Sequence, residues 1–283
     1  MIHAETDLEL RNRHNDVIHT TVTLPAQREP ADAVVLVHGF KGFRNWSFLP
    51  LLAQEAASRS LIAVRLDTSL NGMNGTNDRV LDPDAFARNH VTREVDDVHD
   101  VVSQLVDQLG SRWSGTVHFV GHSRGGGVIH VVMRELLERQ NSTIRLGRGV
   151  SLNGIGAWVR WTPRQRPLWI EAGHTEFVNQ RTGQNLRMNV DYMYDIEEHA
   201  ARLDMTAAAS TLADRMLYIH AEQDVTVPVR EHLALRDSTS SCGPLVQLSQ
   251  TTHTFGMTHP IARITEPFAM ACDHTFSWIC TTP

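Results

Sequence analysis

Gly121-His122-Ser123-Arg124-Gly125 sets a serine between two glycines, directly after the strand pattern Val117 to Val120 and directly before an apolar-periodic stretch. The pentapeptide G-x-S-x-G alone occurs by chance in many proteins. Between a strand and a helix it describes a nucleophile elbow, a turn so tight that side chains flanking the serine would collide. Gly126 and Gly127 extend the tolerance for close packing where the helix begins. The bland alternative is a glycine-rich turn without chemistry, and the strand–turn–helix setting argues against it. A serine hydroxyl is a weak nucleophile at neutral pH, so it needs a base, and the base needs an orienting acid.

Candidates for both follow in the order Ser, Asp, His. Asp224 lies in His220-Ala221-Glu222-Gln223-Asp224-Val225-Thr226-Val227-Pro228, a turn just past an apolar strand pattern. A carboxylate there points into the crevice at the C-terminal ends of a parallel sheet. Glu222 is its local competitor. His253, in Thr252-His253-Thr254-Phe255-Gly256, follows the last strand pattern, with His259 as runner-up among 16 histidines. The role of Asp224 would be to hold the His253 imidazole in the tautomer that accepts the Ser123 proton. A tetrahedral intermediate also needs donors where negative charge develops. The backbone N–H of Arg124 and that of Phe40, in His38-Gly39-Phe40-Lys41-Gly42, are the candidates for this oxyanion hole. The His38 side chain is read as a brace for that loop.

These residues need a sheet to position them, and the chain supplies its pattern. Leu8 to Leu24, with a polar Asn15-Asp16 break, reads as an antiparallel edge hairpin. Ala33-Val34-Val35-Leu36-Val37 is a solid apolar run, suited to a strand buried on both faces. Strand patterns recur at Leu61 to Leu66, Thr116 to Val120, Val150 to Leu152, Met216 to His220 and Leu245 to Ser249. Helical spacing lies between them at Phe48 to Ser58, Val95 to Leu109 (with Thr92 and Glu94 in capping position) and Gly125 to Arg139. Such alternation predicts βαβ units and an α/β fold with a mostly parallel sheet, flanked by helices. Residues 154–205 break the rhythm. Rich in Trp158, Trp161, Trp169, Tyr192 and Tyr194, they read as an insertion forming a cap over the sheet within a single domain of residues 1–283. Trp158 and Trp161 would then line a substrate pocket, or simply pack the cap; Arg160, Arg164 and Arg166 are read as solubilising charges.

With these motifs the chain resembles the α/β-hydrolase superfamily from about Val34 to its C-terminus. It is similar in particular to bacterial serine hydrolases of the dienelactone-hydrolase-like and esterase group. The resemblance implies cleavage of a carboxylic ester without a cofactor. It departs from true dienelactone hydrolases, which carry a cysteine where this chain has Ser123. The expectation is an acyl-enzyme mechanism on a small acyl substrate. A thioesterase, a small-peptide hydrolase and a binding protein on a hydrolase scaffold are the alternatives.

Other chemistries find less support. With 41% hydrophobic and 20% charged residues the chain is globular in composition, and a net charge of -6 offers no footprint for nucleic acid. Apolar runs are too short to span a bilayer. Gly154-Ile155-Gly156 lacks the third glycine of a dinucleotide fingerprint, and no H-E-x-x-H or other metal spacing occurs. The acidic set Glu94, Asp96, Asp97 and Asp100 is read as a solvated helix face. An acidic N-terminus without a signal-like stretch and three sparse cysteines suggest a cytoplasmic protein. Oligomeric state is left open.

Overall fold

The computed structural model of the chain describes residues 3–75, 79–139 and 143–281. The polar–apolar alternation at the start becomes β1 (Glu5–Arg11) and β2 (Val17–Thr23), an antiparallel hairpin at the sheet edge. The apolar run follows as β3 (Ala31–Val37), then α1 (Leu49–Ser58) and β4 (Ile62–Leu66). A short α2 (Pro83–Ala87) and a long α3 (Val91–Leu109) lead into β5 (Trp113–His122), α4 (Arg124–Arg139) and β6 (Arg145–Leu152). Next come α5 (Gln165–Ala172), β7 (His174–Asn179), β8 (Gln184–Asn189), α6 (Asp191–Glu198) and α7 (Met205–Thr211). The chain closes with β9 (Met216–Ala221), α8 (Val229–Asp237), β10 (Leu245–Leu248) and α9 (Glu266–Cys280).

Eight strands form one sheet in the order β1-β2-β4-β3-β5-β6-β9-β10. Every pair from β4 to β10 is parallel, and only the β1–β2 and β2–β4 pairs are antiparallel. Alternation along β3 explains its unbroken apolar sequence. Ala33, Val35 and Val37 enter the apolar layer under α3 and α4, while Val34 and Leu36 enter the layer under α1 and α9. The expected three-layer α/β architecture is therefore present. The strand neighbours of β3 are β4 and β5, and α1 and α3 lie on opposite faces. Loops leaving β3 and β5 diverge there and open a crevice at the C-terminal edge.

Several expectations need correction. Thr92 and Glu94 sit inside α3, whose N-cap is His90. Glu94 and Asp97 belong to no solvated face: they are 5% and 0% exposed. Glu94 pairs with Arg124, and Asp97 accepts hydrogen bonds from the Asn12 amide and the Ser69 N–H. Only Asp96 and Asp100 reach the surface, where Arg13 bridges both. Strands β5 and β6 begin earlier than their apolar cores, because their first residues lie at the half-exposed N-terminal edge of the sheet. The aromatic segment has regular structure of its own, including the separate antiparallel hairpin β7–β8. Among the described residues no helix is long and apolar enough to cross a membrane.

Candidate active site

The loops after β3, β5, β6, β9 and β10 bring the candidate residues together. Ser123 occupies the turn from β5 to α4 with φ of 55°, a left-handed value that a non-glycine residue adopts only when its surroundings impose it. Its N–H donates to Leu152 O, and its carbonyl accepts the N–H groups of Gly126 and Ile155. The flanking glycines are sterically required. A Cβ on Gly121 would stand 2.3 Å from Gly125 O, and one on Gly125 would stand 2.4 Å from Val37 O. The loop after β3 is equally close, since a Cβ on Gly39 would lie 2.9 Å from Ser123 Cβ.

Asp224 follows β9 and is 4% exposed. Its Oδ1 accepts the N–H groups of Thr226 and Val227, both at 2.9 Å, and its Oδ2 lies 2.7 Å from His253 Nδ1. Burial alone would raise its pKa, but the His253 hydrogen bond and the two backbone donors outweigh it and hold the carboxyl below its ordinary value. An ionised carboxylate only accepts, so Nδ1 carries the proton and Nε2 is left with its lone pair. Among the described residues Nε2 makes no hydrogen bond, and His253 lines a cavity together with Ser123. The competitors stand elsewhere. Glu222 is exposed, and His259 accepts the Ser47 N–H and packs edge-on against Phe43.

Two residues that the sequence did not single out hold His253 by its carbonyl. His122 Nε2 donates to it at 2.9 Å and Asn153 Nδ2 at 2.8 Å. Burial, with the neighbouring His253, pushes the His122 pKa down to about 3, so this ring stays neutral, stacked on Trp46. Asn153, at φ 47° after β6, also accepts the Ala221 N–H and thereby ties β6, β9 and the His253 loop into one unit. The position after a strand and the tolerance of asparagine for left-handed backbone were the available signals. His38 is the brace that was expected: Nε2 accepts the Thr68 N–H and Nδ1 donates to Gly39 O.

Among the described residues the N–H groups of Phe40 and Arg124 have no hydrogen-bond partner. The Arg124 side chain is drawn off the turn by Glu94, with Nε 3.0 Å from Oε2, and its guanidinium lies over the rings of Phe40 and Tyr192. That leaves the main-chain N–H at the start of α4 open toward Ser123. A chamber of about 550 Å³ extends from Ser123 and is walled by Phe40, Trp161, Trp169, Phe177, Met188 and Tyr192. Trp161 therefore stands where a pocket residue was expected. Trp158 does not: it is 5% exposed, donates its indole N–H to Leu203 O, and packs against Gly127 instead of lining the chamber. Arg160 and Arg166 are exposed and ion-paired, to Glu231 and Glu197. Among the described residues no group of three or more His, Cys, Asp or Glu side chains is arranged to hold a metal ion.

Similar folds occur in solved structures. Est1E from Butyrivibrio proteoclasticus, seen with ferulic acid bound, aligns with TM-score 0.70 and 14% identity over 97% of this chain and 100% of its own. An esterase of Pyrobaculum calidifontis gives 0.62 and 19% over 99% and 85%. A dienelactone hydrolase of Anabaena variabilis ATCC 29413 gives 0.60 and 14% over 98% and 97%. No curated protein matches the chain. Residues 34–266 match the sequence profile of the alpha/beta hydrolase family, most of the chain and every loop of the site, and the chain belongs to that family.

Proposed function

We propose that the protein is a serine hydrolase that cleaves a carboxylic ester through an acyl-enzyme intermediate. One observation carries the reading: the Asp224–His253 hydrogen bond of 2.7 Å, beside a serine held at φ 55° in an elbow that opens into the same cavity. Ser123 Oγ attacks the ester carbonyl carbon while His253 Nε2 takes its proton. Asp224 keeps Nδ1 protonated and stabilises the imidazolium. The N–H groups of Phe40 and Arg124 receive the oxyanion. Collapse expels the alcohol, which leaves with the proton from His253, and water then enters by the same base to release the acid. The aromatic walls favour an acyl part with a sizeable apolar or aromatic body. Segment 154–205 supplies most of these walls and acts as the cap. Esterases among the similar folds agree with this reading.

The test is intact mass after incubation with a fluorophosphonate, alongside hydrolysis of a short p-nitrophenyl ester by wild type and Ser123→Ala. One adduct on wild type alone, with turnover lost in the variant, is the expected result. A folded wild-type protein that forms no adduct would remove the nucleophile and leave a binding role.

A further inference from the structure

Ser123 faces a second cavity besides the aromatic chamber. It measures about 120 Å³ and is lined by Ser123, His253, Lys41, Asn179 and Arg181 among others, and among the described residues no carboxylate lines it. Lys41, half-buried in the loop after β3, has its Nζ 5.6 Å from the ring centre of Phe40 and 5.4 Å from that of Phe177. Among the described residues no acidic side chain pairs with it. Burial, and then the nearby Arg181 charge, push its pKa down, which is the signature of a cation short of counter-charge. Asn179, at the end of β7, is 3% exposed. Its Oδ1 accepts the Arg181 N–H at 3.3 Å, while among the described residues the buried Nδ2 has no hydrogen-bond partner. A buried donor in that state is unfavourable, and an acceptor entering the cavity would offset its cost.

The division of the two cavities follows from the proton. The departing oxygen must come within hydrogen-bond reach of the acid that protonates it. His253 lines the small cavity and does not line the large one. The leaving group thus occupies the small, cationic space and the acyl group the aromatic one. At about 120 Å³ the small cavity has room for only a few non-hydrogen atoms beyond the ester oxygen. We infer that the alcohol released is a short hydroxycarboxylic acid, its carboxylate received by Lys41 and the Asn179 amide. This rests on the ester-hydrolase reading above. The step balances without a further reactant: the alkoxide takes the His253 proton, and its carboxylate keeps its charge throughout.

The experiment compares kcat/KM for phenylacetic acid esters of three alcohols: glycolate, ethylene glycol and ethylene glycol monophosphate. Wild type should prefer the glycolate ester over the neutral one by ~10-fold or more, chiefly through KM and less so at high salt. Lys41→Met and Asn179→Asp, both verified as folded by their melting transitions, should bring that ratio to about one or below. A merely structural role for either residue would move both esters together. Equal or reversed preference in wild type, with Ser123-dependent turnover of the neutral ester, overturns the inference and leaves the hydrolase reading intact. Faster turnover of the phosphate ester overturns the carboxylate assignment. If no ester turns over and the fluorophosphonate leaves Ser123 unlabelled, the hydrolase reading itself falls and takes the inference with it.

Discussion

Replacing Asp224 by Asn is the sharpest single perturbation of this site. The carboxylate accepts three hydrogen bonds, from Thr226 N, Val227 N and His253 Nδ1. An asparagine can keep its oxygen on the two backbone donors, so the turn survives. Its amide then faces His253 with a donor where an acceptor stood. The imidazole is driven to the other tautomer, with Nδ1 bare and Nε2 protonated, and it cannot take a proton from Ser123. The wrong tautomer in such a site lowers kcat on the order of 10,000-fold, about 5.4 kcal/mol in the barrier. Losing the charge-assisted bond costs roughly 1.5–3 kcal/mol of stability, only a few degrees in the melting temperature for a chain of this size. Steady-state hydrolysis of a p-nitrophenyl ester, with melting followed by circular dichroism, reads both. A loss of less than ~10-fold in a folded variant would refute the role given to Asp224 and break the argument from tautomer to rate.

Three further outcomes follow from the geometry. Asn153→Ala should lower kcat by about 10- to 100-fold and destabilise by roughly 1–3 kcal/mol, because the buried Ala221 N–H loses its acceptor and the His253 carbonyl loses a donor, measured by denaturant melts and kinetics. Trp161→Ala should raise KM for esters of aromatic acids about 10-fold, whereas Trp158→Phe should cost about 1 kcal/mol of stability and leave kcat/KM within about twofold. Glu135 is held at a pKa of about 2 against an ordinary 4.5: burial would raise it, but the hydrogen bonds of His99 and Arg202 prevail. The unfolded chain therefore binds its proton first as pH falls, so the stability from this group is complete above about 4.5 and lost on the way to about 2. Glu135→Gln should be on the order of 2 kcal/mol less stable at pH 6 and show a flatter melting temperature between pH 5 and 3.

The amino-acid sequence by itself determined the order of the strands of the main sheet, the first long helices between them, the elbow at Ser123 and the turn at Asp224. These are properties of chain neighbours: parity in a strand, periodicity in a helix, and the glycines that a tight turn cannot do without. It also carries the start of the last helix in plain local chemistry. Thr265-Glu266-Pro267 marks the start of α9, where the Thr265 side chain accepts the Phe268 N–H. What only the tertiary structure decided depends on partners distant along the chain. His122 meets the His253 carbonyl across 131 positions, and Glu94 turns from an apparent surface acid into the buried partner of Arg124. Trp158 and Trp161, three residues apart and alike in sequence, part company because one faces Gly127 in the core and the other faces the chamber. The division into an aromatic and a cationic cavity arises where the loop after β3, the hairpin β7–β8 and the loop after β10 converge. No local pattern encodes that convergence, since it is set by how the sheet and the inserted segment pack.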